Sequence, residues 1–213
     1  MSENTMAQGI PKDSPVLTWL FNPFHYIAGG TALGIGLAVI VVAGVLASFT
    51  DSHFDGVLDF HSGLPAPFWL PALEGLINWV CMAVLLLAAG KVASKSRFRI
   101  LDVFGTQALA RWPGLLTAAA TFIPGYYAQV RQLATLNFTI DPANAPGFIT
   151  ASVVIIAATV WMLVLMYRAY AVSCNVSGLR GFVSFVPALL VAEVLSKTAL
   201  YYLLVALSVH IQA

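Results

Sequence analysis

Charged residues are scarce in this sequence, and that scarcity restricts the class of protein. Only 9% of the 213 residues are Asp, Glu, Lys or Arg, whereas about a quarter of residues are charged in soluble globular proteins. The formal net charge is +1, so the chain lacks the clustered basic excess that a nucleic-acid partner requires. Hydrophobic residues make up 60% of the chain and the mean hydropathy is +0.87, which indicates that most of the protein lies in lipid.

Cysteines and catalytic motifs are also few. Cys81 and Cys174 lie in or beside apolar runs, where a thiol usually behaves as a small hydrophobe. The sequence contains no nucleophile elbow, no HExxH metalloprotease motif, no Gly-rich phosphate loop and no fixed-period repeat. It therefore gives no positive reason to expect an enzyme or a cofactor.

Five long apolar runs predict five membrane-spanning helices. A helix crosses a hydrocarbon core of about 30 Å with roughly 17–25 residues. The Pro124-Gly125 pair is expected to kink the third. The predicted fold is an all-α membrane bundle, with residues 1–26 as an amino-terminal segment and residues 27–213 as one transmembrane domain. The predicted spans are Ile27–Phe49, Phe68–Gly90, Pro113–Val130, Phe148–Tyr167 and Phe182–Val209.

The distribution of Lys and Arg predicts the orientation, because basic residues near span ends resist translocation. If the amino terminus is cytoplasmic, only Arg131 lies outside, and the outer loops hold Asp51, Asp55, Asp59 and Asp141. We therefore expect a cytoplasmic amino terminus and an outward carboxyl terminus. The basic residues expected on the cytoplasmic side are Lys12, Lys91, Lys95, Arg97, Arg99, Arg111, Arg168 and Arg180.

Residues 94–112 predict an amphipathic helix at the cytoplasmic interface, before Pro113 opens the third span. Phe98, Leu101, Phe104 or Gly105, Ala108 and Trp112 form an apolar stripe at helical spacing. Its interpretation as a positive-inside anchor and its interpretation as a docking surface for lipid or protein both stay open. The residues of this interfacial motif are Arg97, Arg99, Asp102, Gly105, Thr106, Arg111 and Pro113.

Three charged residues fall inside predicted spans. Glu193 and Lys197 are four apart on the fifth span, so they share a helix face and can pair. Charge at the bilayer centre costs roughly 2.5 to 3.5 kcal/mol, so we expect both to face the bundle. Glu74 on the second span is a candidate third member. A structural network and a proton or substrate pathway are the two interpretations.

The first outer loop contains the pattern HFDGVLDFH, which mixes imidazoles and carboxylates. His53, Asp55, Asp59 and His61 are weak candidate ligands for zinc or another divalent ion. The spacing matches no known metal signature, and a solvated acidic loop is the simpler interpretation.

Small residues recur along the first span at the spacing that lets helices approach closely in lipid. Gly30, Gly34 and Ala38 lie on one face, and Gly36, Ile40 and Gly44 on an offset face. Either face could pack within the bundle or form a homo-oligomer.

The FNPF segment before the first span, the five spans and the stretch RFRILDVFGTQALARWP resemble the Yip-domain family, in particular its bacterial branch. The resemblance implies a five-helix bundle in the bacterial inner membrane with a cytoplasmic amino terminus. It favours a membrane-organising protein that binds lipids or an unidentified membrane-protein partner, without catalysis. The alternative is a transporter, channel or scramblase-like lipid-handling protein that uses the charges of spans two and five.

Overall fold

A computed structural model describes residues 15–211, with side chains described from residue 16 to residue 206. Lys12 and the start of the predicted 1–26 segment lie outside these residues. The chain is mostly helical, as predicted, with one short hairpin of two strands, β1 and β2. The elements are α1 (Pro15–Phe21), a 3-10 turn (Pro23–His25), α2 (Gly29–Ser48), β1 (Ser52–His53), β2 (His61–Ser62), α3 (Leu70–Ala93), α4 (Ile100–Leu109), α5 (Gly114–Ala120), α6 (Tyr126–Ala134), α7 (Ala145–Ser173) and α8 (Gly178–Ile211).

Four helices of the described chain are long and apolar enough to cross a membrane: α2, α3, α7 and α8. They correspond to the first, second, fourth and fifth predicted spans. Their outer faces carry exposed Val, Ile and Leu side chains, such as Val42, Ile156 and Leu190. Apolar surface of this extent is expected where the solvent is lipid.

The predicted third span, Pro113–Val130, is wrong in its bounds. Helix α5 ends at Ala120 and α6 begins at Tyr126, so the helix breaks there instead of kinking. Pro124 supplies no N–H group, and Gly125 adopts a φ of +90°, which interrupts the hydrogen-bond ladder. Gly147 at the start of α7 packs on the Pro124 carbonyl, where any Cβ would overlap it.

Helices α4 and α5 together run beside α2 and parallel to it. Gly105 packs on the backbone of Gly29, and Gly36 packs on Ala108. At the far end of α2, the hydroxyl oxygens of Thr50 and Thr121 lie 2.7 Å apart. The segment from residue 100 to residue 121 therefore follows α2 from one end to the other.

This packing differs from the interfacial position predicted for Thr106, Arg111 and the apolar stripe of residues 94–112. Thr106 is 1% exposed and Arg111 is 8% exposed, whereas Leu101 of the predicted apolar stripe is exposed. The small residues of α4 allow close contact with α2, so helix packing overrides the charge pattern of residues 94–112. The offset face of α2 is also interior, since Gly44 packs on Ala72 of α3, while Gly30 and Gly34 face open space.

The two ends of the bundle have opposite character. One end carries loop L1, which we define as residues 49–69 between α2 and α3, and we call it the L1 end. The other end, the basic end, carries the α3–α4 and α7–α8 connections, where Gly90 packs on Cys174. Helix α1 lies against α7, with Trp161 Nε1 donating to the Leu20 carbonyl at 3.0 Å.

Candidate functional site

Loop L1 folds down into the bundle and is fixed there by two carboxylates from different helices. The first is Glu74 of α3, which is 2% exposed. Its Oε1 lies 2.9 Å from Nδ1 of His53, and its Oε2 accepts the Phe54 N–H at 2.9 Å. Both carboxylate oxygens are therefore used by L1.

Both ring nitrogens of His53 have hydrogen-bond partners. Its second nitrogen, Nε2, lies 2.8 Å from the Leu64 carbonyl oxygen. A carbonyl and an ionised carboxylate only accept hydrogen bonds, so with Glu74 ionised this geometry favours the imidazolium form of His53. Burial lowers the pKa of His53, but the hydrogen bond and the charge of Glu74 outweigh it and raise that pKa above 6.5.

The second carboxylate is Glu193 of α8. Its Oε2 accepts the Leu58 N–H at 3.0 Å, and its Oε1 lies 3.4 Å from Lys197 Nζ. The predicted pair of Glu193 and Lys197 is present, and Lys197 reaches on to Asp59 Oδ2 at 2.5 Å. A Cβ at Gly56 would overlap the Glu193 carboxylate, so L1 passes Glu193 in close contact. We call the contacts of L1 with Glu74, Glu193 and Lys197 the L1 lock.

The candidate metal ligands are divided among separate ion pairs. His53 binds Glu74, His61 Nδ1 lies 3.1 Å from Asp55 Oδ2, and Asp59 binds Lys197. The rings of His53 and His61 stack with their centroids 5.3 Å apart. Over residues 15–211, no group of three or more His, Cys, Asp or Glu side chains is arranged to hold a metal ion.

Arg111 occupies a place that the sequence did not predict. It was assigned to the cytoplasmic interface, yet its side chain is buried at the junction between α4 and α5. Its Nη2 has no hydrogen-bond partner, and no ion pair joins it to a carboxylate among the described residues. Glu193 is the carboxylate whose charge acts on it most.

A small cavity lies beside Arg111 in the middle of the bundle. Its volume is about 30 Å³, which accommodates one or two particles the size of water. Residues of three helices, of L1 and of the α4–α5 junction line it, and Arg111 is the one lining residue with a polar side chain. The lining residues are Ile40, Ala43, Phe54, Gly75, Arg111, Gly114 and Met162.

The basic end presents its charges to the outside. Six Lys and Arg side chains there are exposed, and none forms an ion pair within the described chain. Two grooves of about 320 and 480 Å³ lie among them, with Ser94 shared by both. The exposed basic residues are Lys91, Lys95, Arg97, Arg99, Arg168 and Arg180.

The structure thus separates residues that the sequence grouped together. Arg97 and Arg99 of the interfacial motif are exposed at the basic end, whereas Gly105, Thr106, Arg111 and Pro113 are interior. Asp102 is half-buried near Gly29. Glu74 does not contact Glu193 or Lys197, and it joins them only through L1.

The sequence analysis missed one residue that binds L1, Asn78, and assigned another, His53, a different role. Asn78 donates from Nδ2 to the Phe54 carbonyl at 2.5 Å, and His53 acts as a cation rather than as a metal ligand. Asn78 lies four residues after Glu74 on the same apolar helix, and this spacing places the two polar side chains on one helix face. That pattern in the sequence could have identified Asn78.

Comparisons with protein-family models, with curated proteins and with solved structures found nothing that matches this chain.

Proposed function

We propose that this protein crosses the bacterial inner membrane five times and binds anionic lipid head groups at its basic end, as a membrane-organising protein of the Yip-domain type. The observation that carries the proposal is the set of six exposed basic side chains at that end, none of which forms an ion pair among the described residues. Four of them, Lys91, Lys95, Arg97 and Arg180, line the two grooves. A negatively charged leaflet attracts each such residue by about 1 kcal/mol. The serines beside them, Ser94 and Ser96, can donate hydrogen bonds to phosphate oxygens.

In this proposal α2, α3, α7 and α8 supply four crossings, and the α4–α5 segment, which is third in chain order, supplies the remaining one. It follows α2 from Gly105 beside Gly29 to Thr121 beside Thr50, and α2 is long enough to cross a membrane. Buried irregular backbone at membrane depth is tolerated where protein surrounds it, as at the junction around Arg111.

The orientation in the proposal has the amino terminus and the basic end in the cytoplasm and the carboxyl terminus outside. Among the described residues, the basic end holds six Lys or Arg and the L1 end holds Arg131. Of the other two, Arg111 is buried within the bundle and Lys197 pairs with Asp59 of L1 and with Glu193. In a Cys-free background, Lys95→Cys should resist a membrane-impermeant maleimide added to intact cells and Asp141→Cys should react. The reverse pattern would overturn the orientation.

Lipid binding is tested by native mass spectrometry of the purified protein with phosphatidylglycerol and with phosphatidylcholine. The parent should retain phosphatidylglycerol preferentially. Neutralising Lys95, Arg97 and Arg180 to Gln should weaken that preference by about fivefold per residue, since each contributes about 1 kcal/mol. The matched control is Arg131→Gln at the L1 end, which should keep it. Equal retention of both lipids by the parent would contradict the proposal.

A second candidate function, transport or lipid flipping, is favoured by one observation. Arg111 is a buried charge at a break between two helices, which is how many transporters build a site at mid-membrane. Against it, L1 engages Glu74, Glu193 and Lys197. Flux of protons and fluorescent lipid in proteoliposomes separates the two candidates. The first predicts no flux above that of empty liposomes, and flux that Glu193→Gln and Lys197→Met abolish would favour the second.

A further inference from the structure

The interior of the bundle contains one cation whose partners are incomplete. Arg111 is 8% exposed, and its Nη2 is buried without a hydrogen-bond partner. A buried charge without a partner costs several kcal/mol, so natural proteins normally supply a counter-charge. Glu193 is the carboxylate whose charge acts most on Arg111, but it already accepts the Leu58 N–H and pairs with Lys197.

The cavity beside Arg111 is placed to receive that counter-charge. Arg111 is one of its lining residues, and Phe54, Met162 and Ala43 provide apolar walls. We infer that this cavity binds a small monovalent anion of the size of chloride, held by the guanidinium of Arg111. The site is distinct from the basic end, because Arg111 lies between α2, α3 and α7 rather than at the surface.

Size and lining select the class of anion. A volume of about 30 Å³ matches a monatomic ion, whereas phosphate esters and lipid head groups are larger than this space. The apolar walls offer few hydrogen bonds to replace a hydration shell, so strongly hydrated anions such as sulfate are disfavoured. Chloride and bromide lose their hydration water more readily, and either ion can accept hydrogen bonds from the N–H groups of one guanidinium.

The test uses the purified full-length protein in detergent and measures the ³⁵Cl NMR line width in sodium chloride, with bromide as competitor and gluconate as the inert anion. The parent should broaden the line in a saturable way that bromide reverses. Arg111→Gln should remove the saturable, bromide-sensitive part of the broadening, and the exposed-residue control Arg131→Gln should keep it.

A second variant keeps the test decisive if Arg111→Gln fails to fold. Ala43→Val retains the guanidinium but fills part of the cavity, so it should also abolish the broadening while the circular dichroism spectrum stays that of the parent. Thermal unfolding supplies an independent readout, because a bound anion raises the Tm of the parent in chloride relative to gluconate at equal ionic strength.

The inference fails if the parent shows no saturable broadening, which would mean that the cavity holds water only. It also fails if Arg111→Gln, folded, broadens the line as the parent does. Loss of lipid binding at the basic end would change neither the saturable ³⁵Cl broadening nor the effect of chloride on the Tm. The anion site and the proposed function are therefore tested independently.

Discussion

The L1 end and the basic end use the same kinds of charged residue in opposite ways. At the L1 end, His53, Glu74 and Glu193 are paired with one another or with the backbone of L1. At the basic end, six Lys and Arg side chains are exposed and form no ion pair within the described chain. Charge therefore holds the structure together at one end and is available to other molecules at the other.

The largest expected effect comes from breaking the buried half of the L1 lock. Glu74→Ala should lower the free energy of unfolding by about 3–5 kcal/mol, because it leaves the imidazolium of His53 and the Phe54 N–H buried without an acceptor. Unfolding by denaturant in mixed micelles measures the change. If the free energy of unfolding fell by less than 1 kcal/mol, burial would not strengthen the contacts of Glu74 with His53 and the Phe54 N–H.

A smaller effect is expected from pH, through His53. Its pKa is raised on folding, so its contribution to stability is complete below about 6.5 and is lost as pH rises through the folded value. The free energy of unfolding of the parent should therefore fall as pH rises above 6.5. In His53→Gln this slope should be absent, and a parent without the slope would contradict an imidazolium in the lock.

The matched control within L1 is the pair of His61 and Asp55, which has the same chemistry but is 37% exposed on both side chains. Burial raises the pKa of Asp55, yet the hydrogen bond and charge of His61 lower it more, to below 3.8. The contribution is therefore lost as pH falls through the folded value. Asp55→Asn should cost only about 0.2–1 kcal/mol at neutral pH. A cost equal to that of Glu74→Ala would remove the distinction that burial makes.

The smallest change in stability is expected at the basic end. Lys95→Gln should shift the free energy of unfolding by no more than about 0.5 kcal/mol, because an exposed side chain without a partner contributes little. Its effect should appear instead in the retention of phosphatidylglycerol. A destabilisation of several kcal/mol would mean that this end, too, is held together by charge.

Local patterns in the sequence were sufficient for the long helices and for one contact of the lock. Four apolar runs became α2, α3, α7 and α8, and the spacing of four residues correctly placed Glu193 beside Lys197. Both signals are read from neighbours in the sequence, through length and helical periodicity.

Contacts between distant segments could not be read in the same way. The segment containing Arg111 looked interfacial because its charges and its apolar residues alternate at helical spacing. Its burial depends on Gly36 of α2 and Gly105 of α4, whose lack of side chains lets the two backbones touch. The metal hypothesis failed to anticipate Glu74 for a similar reason, since Glu74 meets His53 only in the folded bundle.

The reach of L1 to α8 has a consequence for how the protein is made. L1 lies between the first two long helices, yet Leu58 finds its acceptor, Glu193, on the last one. When the ribosome has synthesised the chain only as far as α7, L1 can bind Glu74 of α3, but Glu193 does not yet exist. The packing of L1 is therefore complete only after α8 has been synthesised. We expect a chain truncated before residue 193 to be a substrate for membrane quality-control proteases.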